Sequence, residues 1–172
     1  MHGRVLDPAY TQRGVSKDRE EAAAVWLIVV GAAALFASLF LTWSHQFSPY
    51  LLSVFGNSGV LNGVPRNPDA WQVYSAADVL LALVAAALVA AGVFGSRAAR
   101  QCAAVAALIA LVFTVHALIV PPTNGALIFN PAESVPNYIP NAAGAGVGET
   151  VAILGLVLAV GGLTASLVSS RA

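Results

Sequence analysis

Charged residues are scarce in this sequence. Only 9% of its 172 residues are Asp, Glu, Lys or Arg, whereas 58% are hydrophobic. Soluble domains usually carry about 25% charged residues, so this chain lacks the polar surface that would cover a globule in water. Its formal net charge is zero and no basic stripe is present, which argues against nucleic acid as a partner. The composition indicates a membrane protein.

Cysteine and the common catalytic motifs are also missing or nearly so. Cys102 is the only cysteine, which excludes an internal disulfide and a thiolate-based zinc or iron–sulfur site. We expect this thiol to be buried and reduced. The chain has no Walker loop, no His-x-x-x-His pair and no Gly-x-Ser-x-Gly motif. The glycine-rich stretch 144–148 precedes an apolar run and predicts a flexible linker rather than a dinucleotide loop.

Long apolar runs dominate what is present. The first has 22 residues, Ala22 to Trp43, and would cover about 33 Å as a helix, against a hydrocarbon core of about 30 Å. It exceeds the apolar region of about 7–15 residues in a signal peptide, so we expect it to remain as an anchor. The sequence predicts an all-α membrane protein, a four-transmembrane-helix up-down bundle. The predicted segments are a tail at 1–21, spans at about 22–44, 71–95, 100–120 and 149–168, long loops at 45–70 and 121–148, and a C-terminal tail at 169–172.

Basic residues predict the orientation of these spans. Seven of the eight Lys and Arg residues lie in the two tails and in the turn between the second and third spans, and the long loops contain only Arg66. Basic residues are retained on the cytoplasmic side of membranes. We therefore expect both termini in the cytoplasm and both long loops outside. The N-terminal tail contains Pro8 and Gly14, and we expect it to become helical only from about Ser16.

Short motifs add local detail. Ser48-Pro49 followed by apolar residues up to Gly56 predicts a short helix on the membrane surface. The second span has two alternative starts, one after Asn67-Pro68 and one at the box that ends in Asp78. Small residues four positions apart permit close helix packing. They are Ala33/Ala37, Ala87/Ala91/Gly95, Ala103/Ala107 and Gly155/Ala159.

Four ionisable residues lie at the predicted outer ends of the spans, one for each span: His45, Asp78, His116 and Glu149. Asp78 follows His45 by 33 positions, and Glu149 follows His116 by the same number. The chain can therefore be described as two hairpins, each with a histidine that closes one helix and a carboxylate that opens the next. Two imidazoles and two carboxylates would suit iron, zinc or copper, and two imidazoles alone would suit a haem. A metal-free cluster would pass protons.

Each of these side chains also has an ordinary structural explanation. Asp78 and Glu149 stand in first turns of helices, where the helix dipole stabilises a carboxylate. His45 lies at the interface, where water would solvate it. His116 lies deeper, and we expect it to pair with Asp78 or with a backbone carbonyl. The narrower hypothesis is an Asp78–His116 pair, with both side chains at one depth and directed inward.

Several segments resemble small, uncharacterised four-helix integral membrane proteins of actinobacteria. The similarity rests on Leu41-Thr42-Trp43, the stretch from Ala70 to Leu81, the basic turn and the Pro121-Pro122 end of the third span. It covers about the first two-thirds of the chain. The resemblance implies a protein of the bacterial inner membrane and implies no particular activity or active-site residue.

Three functions are compatible with these patterns. The first is a non-catalytic accessory or scaffold subunit that contacts membrane-protein partners, or a second copy, through its outer loops and N-terminal tail. The second is a redox or proton-handling protein that uses the His45, Asp78, His116 and Glu149 set, with a transition metal or haem. The third is a channel for small solutes, lined by the small-residue faces.

Overall fold

The computed structural model of the protein describes residues 8–57, 65–74, 76–122 and 144–169. Most of the second predicted outer loop and part of the first therefore lie outside the described residues, as do 1–7 and 170–172. The elements are almost all helical. In chain order they are α1 Pro8–Ser38, β1 Ser44–His45, α2 Pro49–Phe55, α3 Ala70–Val73, α4 Ala77–Phe94, α5 Arg97–Ile119, β2 Gly144–Ala145 and α6 Val147–Ser169.

Four of these helices are long and apolar enough to span a membrane. The spans are Arg19–Ser38 within α1, and the whole of α4, α5 and α6. This result confirms the prediction of an all-α membrane protein with four spanning helices. The short helix predicted after Ser48-Pro49 is also confirmed, as α2.

The four long helices pack as neighbours around a square. Helix α1 contacts α6 and α4, and α5 contacts the same two helices. The closest approach is between α1 and α6, where a methyl group on Gly155 would lie 2.6 Å from the carbonyl oxygen of Gly31. Farther along, Gly162 lies against the backbone of Ala24, so the two helices run antiparallel. Contacts this close require small residues, which is how helices associate without a hydrophobic driving force between them.

The core is a narrow column of large aliphatic side chains surrounded by alanines. Ile28, Leu35, Leu88, Leu156 and Leu163 are fully buried. The alanine stripe of α5 completes the packing, with Ala103, Ala107, Ala110 and Ala117 buried. Large apolar side chains cover the outside of the bundle, as the hydrocarbon of a bilayer requires.

Helix α1 differs from its predicted bounds at both ends. It begins at Pro8, because proline fits the first turn of a helix and Gly14 is tolerated within one. It ends at Ser38 rather than near Trp43. The apolar residues that follow form tight turns, in which the amides of Leu39 and Phe40 donate to carbonyls three residues back. Of the apolar residues in this stretch, Leu39 and Trp43 are buried, whereas Phe40 and Leu41 are exposed on the outside.

The second predicted span is two helices instead of one. Asp69 caps the single turn α3, where it accepts a hydrogen bond from the amide of Gln72 while the Gln72 side chain reaches back. Tyr74 is then extended, and α4 starts at Ala77. Both alternative helix starts are thus used, the first for α3 and the second for α4.

Three predicted environments are wrong. Cys102 is exposed on α5, because it faces away from the alanine stripe. The position of Trp43 at the end of the first apolar run predicts an indole at the membrane interface, whereas its side chain is fully buried against Tyr74 and Gly148. The pair Ala33/Ala37 is exposed, because α1 packs through the neighbouring face that contains Gly31 and Leu35.

Candidate functional site

We call the end of the bundle where α1 and α5 finish and α4 and α6 begin the loop end. There the chain after α1 is extended and lies between two other segments. The amide of Trp43 donates to the carbonyl of Pro68 at 2.9 Å, and the amide of Gln46 donates to Arg66 at 3.1 Å. On its other side, β1 pairs with β2 in antiparallel register, with Ser44 opposite Ala145.

This pairing continues into the start of α6. The amide of Gly146 donates to the carbonyl of Trp43 at 3.0 Å, and that of Gly148 donates to Thr42 at 2.7 Å. Residues 42–46, 65–69 and 144–148 therefore form one hydrogen-bonded layer, which we call the loop-end layer. The stretch 144–148, predicted to be a flexible linker, is a paired segment because its amides find partners on the chain that leaves α1.

Trp43 is the centre of this layer. Its indole nitrogen donates to the carbonyl of Ser38 at 2.8 Å. Its ring stands at 88° to that of Tyr74, with centroids 5.7 Å apart, and Tyr74 in turn contacts Phe113 of α5. A methyl group on Gly148 would lie 2.5 Å from the indole, so only glycine lets α6 begin this close to Trp43.

Glu149 lies in the first turn of α6, directly beneath this layer. Its side chain is fully buried. Oε2 accepts a hydrogen bond from the amide of Gly146 at 2.7 Å, which is the arrangement of a glutamate that caps its own helix. Oε1 is also buried and, within the described part of the chain, has no hydrogen-bond partner. An unsatisfied buried oxygen of this kind calls for a physical explanation.

The same surroundings affect the ionisation of Tyr74. Burial, followed by the nearby charge of Glu149, raises the pKa of the Tyr74 phenol to about 12. An ionised phenol would have to form in a poorly solvated place next to another acidic group. The carboxyl of Glu149 therefore lies close enough to the half-buried phenol of Tyr74 to oppose its ionisation.

The other three predicted site residues lie elsewhere. His45 is exposed, and its Nδ1 is 2.7 Å from Oδ1 of Asn67. Asp78 is buried in the first turn of α4, and its Oδ1 accepts from the amide of Val79 at 2.7 Å. His116 is exposed on α5. In the ranges that the structure covers, no hydrogen bond or ion pair joins His116 to Asp78, and His116 faces outward instead of inward.

These positions bear on the metal and haem hypotheses. Among the described residues, no three His, Cys, Asp or Glu side chains form a group that could hold a metal ion. His45, Asp78, His116 and Glu149 are therefore not brought together as one set of ligands. The common spacing of thirty-three residues places each residue near a helix end without directing its side chain toward the others.

Five buried polar residues among those described were not singled out from the sequence: Ser38, Ser44, Gln46, Thr114 and Ser166. Gln46 lies in the loop-end layer, where its Nε2 donates to Oγ of Ser44 at 2.6 Å and to the carbonyl of Pro122 at 3.1 Å. This hydrogen bond to Pro122 connects the end of the third span to the loop-end layer. Ser38 donates to the carbonyl of Leu35 at 2.6 Å. Uncharged polar residues at helix ends carry little sequence signal, because the same types are common in exposed turns.

Arg100 occupies the opposite end of the bundle, which we call the turn end. Its guanidinium donates to Oγ of Ser166 on α6 and to the carbonyl of Gly92 on α4, and it lies 3.8 Å from the carboxylate of Glu21 on α1. One side chain of α5 thereby contacts the other three long helices. The basic turn that predicted orientation from charge also stabilises the packing.

An apolar groove runs along the outside of the bundle between α4 and α5. It consists of two cavities of about 540 and 490 Å³ that share Ala87 and Ala106. Small side chains from both helices form most of its walls. Its ends are marked by Ala77 and Phe113 at the loop end and by Gly95, Ala99 and Cys102 at the turn end.

Comparison with known proteins adds no relative to this description. No family model, curated protein or solved structure matches the chain.

Proposed function

We propose that this protein is a non-catalytic accessory or scaffold subunit, which packs laterally against a transmembrane helix of a partner membrane protein. The groove between α4 and α5 is the observation that carries the proposal. Small residues on two neighbouring helices form most of its walls, beside several larger apolar side chains, and such surfaces let a further helix approach closely.

The length of the groove favours a helix over a lipid chain as its occupant. It extends along α4 from Ala77 to Gly95, about 27 Å at 1.5 Å per residue. A single acyl chain crosses one leaflet, about half of a 30 Å hydrocarbon core. A transmembrane helix fills the whole length as one rigid body, whereas lipid would need two chains that meet end to end.

The membrane setting of this subunit is part of the proposal. Seven of eight basic residues lie at the turn end or in the tails, which supports cytoplasmic termini and external loops. The resemblance to actinobacterial membrane proteins supports the bacterial inner membrane. The outer loops and the N-terminal tail would then supply further contacts to the same partner, on both sides of the membrane.

Cys102 provides a direct test because it is the only cysteine, is exposed and lines the groove. A thiol-reactive cross-linker applied to native membranes should join Cys102 to a peptide within a transmembrane helix of one partner, identified by mass spectrometry. A link to a second copy of this chain, or to no protein, would contradict the proposal.

A pair of matched variants tests whether the groove itself is responsible. Ala87→Leu fills the middle of the groove and should reduce recovery of the cross-linked partner at least tenfold. Ala86→Leu is the control, since Ala86 is exposed on the same helix but does not line the groove. Equal recovery from both variants would show that the partner binds elsewhere.

The two alternative functions have less support in the described residues. The metal alternative needs a set of donors, and the described residues assemble no group of three or more. The haem alternative needs two imidazoles, whereas His45 and His116 are both exposed and His45 is paired with Asn67. The channel alternative needs an open path through the bundle, whereas large aliphatic side chains fill the described core.

A further inference from the structure

The helix-capping role of Glu149 accounts for only one of its two carboxyl oxygens. Capping uses Oε2 alone, through the amide of Gly146. Within the described part of the chain, Oε1 has no hydrogen-bond donor, although the side chain is fully buried. A carboxylate carries its charge on both oxygens, so this arrangement leaves half of a buried charge without stabilisation.

No cation is available to neutralise that charge. Among the described residues, the one ion pair lies at the turn end, between Arg100 and Glu21. At the loop end, the sequence supplies one Lys or Arg, Arg66, and this residue is exposed and donates to the carbonyl of Gly56 at 3.3 Å. The remaining loop residues, 58–64 and 123–143, contain no basic residue at all.

The titratable groups on the elements around Glu149 also disfavour a negative charge. Tyr74 and Asp78 are acidic; Asp78 is buried and Tyr74 is half-buried. His45 is exposed and paired with Asn67, and His116 is exposed on the outer face of α5. From residue 22 to Trp43 of the α1 segment, and along the rest of α6, the sequence has no charged residue.

We propose that Glu149 is a proton-binding site that holds its proton at neutral pH, with Oε1 as the protonated oxygen. The neutral acid keeps the hydrogen bond from Gly146, since its carbonyl oxygen Oε2 still accepts. The amide of Gly146 and the start of α6 favour the charged form, but one donor and a helix terminus replace little of the hydration that a carboxylate loses on burial. A buried, uncompensated charge costs more than a buried hydroxyl, so the proton stays bound. This site is separate from the groove and does not depend on the accessory function.

Infrared spectroscopy of the full chain in lipid nanodiscs at neutral pH tests the proposal. A protonated carboxyl gives a carbonyl stretch that a carboxylate lacks. We expect this band in the wild-type protein, shifted by isotope-labelled glutamate and by exchange into heavy water, and absent in Glu149→Gln. Asp78→Asn is the matched control and should keep the band.

The opposite result is equally clear. Labelled glutamate that gives only carboxylate bands at neutral pH would overturn the proposal. The chain has four glutamates, of which Glu20 and Glu21 are exposed. If Glu149→Gln does not fold, Glu133→Gln decides: retention of the labelled band assigns it to Glu149, and its loss assigns the proton to Glu133.

Discussion

The two ends of the bundle handle a buried ionisable group in different ways. At the turn end, Arg100 keeps its charge because α1, α4 and α6 each present it with an oxygen. At the loop end, Glu149 has a single donor, the amide of Gly146. An arginine cannot lose its proton in a protein, so it must be given partners. A glutamate can take up a proton instead, and the loop end needs no counter-ion for that reason.

The packing around Arg100 also differs from the packing around Glu149. Arg100 lies within long helices that are already held together along their length. Glu149 lies under a layer made of backbone hydrogen bonds between short, separate segments. Disturbing the loop-end layer should therefore cost more stability than removing the arginine, and the following predictions test that order.

The largest effect is expected from Gly148→Leu. Its Cβ would lie 2.5 Å from the indole of Trp43, and both the ring and the backbone around it are enclosed. We expect a loss of about 3 kcal/mol or failure to fold, the upper end for overpacked sites. Thermal unfolding in detergent measures it. Gly144→Ala is the control at the same end, since nothing lies within 4 Å of its Cβ position. Equal stability of both variants would mean that the layer does not constrain α6.

A smaller loss is expected from Arg100→Ala at the turn end. The variant leaves Ser166 and the carbonyl of Gly92 without their donor, and the pair with Glu21 contributes little because Glu21 is half exposed. We expect about 2 kcal/mol from the charged hydrogen bonds, measured by the same unfolding experiment. Arg97→Ala, an exposed residue three positions earlier, should change stability by less than about 0.5 kcal/mol. A larger loss for Arg100→Ala than for Gly148→Leu would reverse the order of the two ends.

The smallest effect concerns Tyr74 at high pH. Because the pKa of Tyr74 rises to about 12 on folding, the unfolded phenol ionises first, near its ordinary value of about 10. The stability that the neutral Tyr74 phenol contributes to the folded protein is fully present below about pH 10 and is lost as the pH rises toward about 12. Melting temperatures across this range should fall less steeply in Tyr74→Phe than in the wild type. Tyr50→Phe, which removes an exposed phenol, serves as the control, and an unchanged slope in Tyr74→Phe would contradict the assignment.

Much of the helical architecture could be predicted, because a run of about 20 apolar residues has few alternatives to a spanning helix. The outward position of His116 could also be predicted from the sequence. The buried residues Ala107, Ala110, Thr114 and Ala117 follow helical spacing, and His116 falls off that stripe. The buried stripe of α5 therefore predicts a His116 side chain that points away from the other three residues.

The loop-end layer could not be predicted for a physical reason. Its strands have two residues each and pair across about a hundred positions in the chain, so neither length nor alternation marks them. The glycines at 144, 146 and 148 predict flexibility when only local preference is considered. Close contact with the segment after α1 gives them their actual role, and this contact depends on the packing of the whole bundle.

The pairing of β1 with β2 has a consequence for biogenesis. During synthesis, residues 42–46 leave the ribosome about a hundred residues before their partners at 144–148. Until α6 has inserted, Trp43 lacks the neighbour that covers its indole, and the loop-end layer has only two of its three segments. Completion of the layer therefore requires that α6 has packed beside α1.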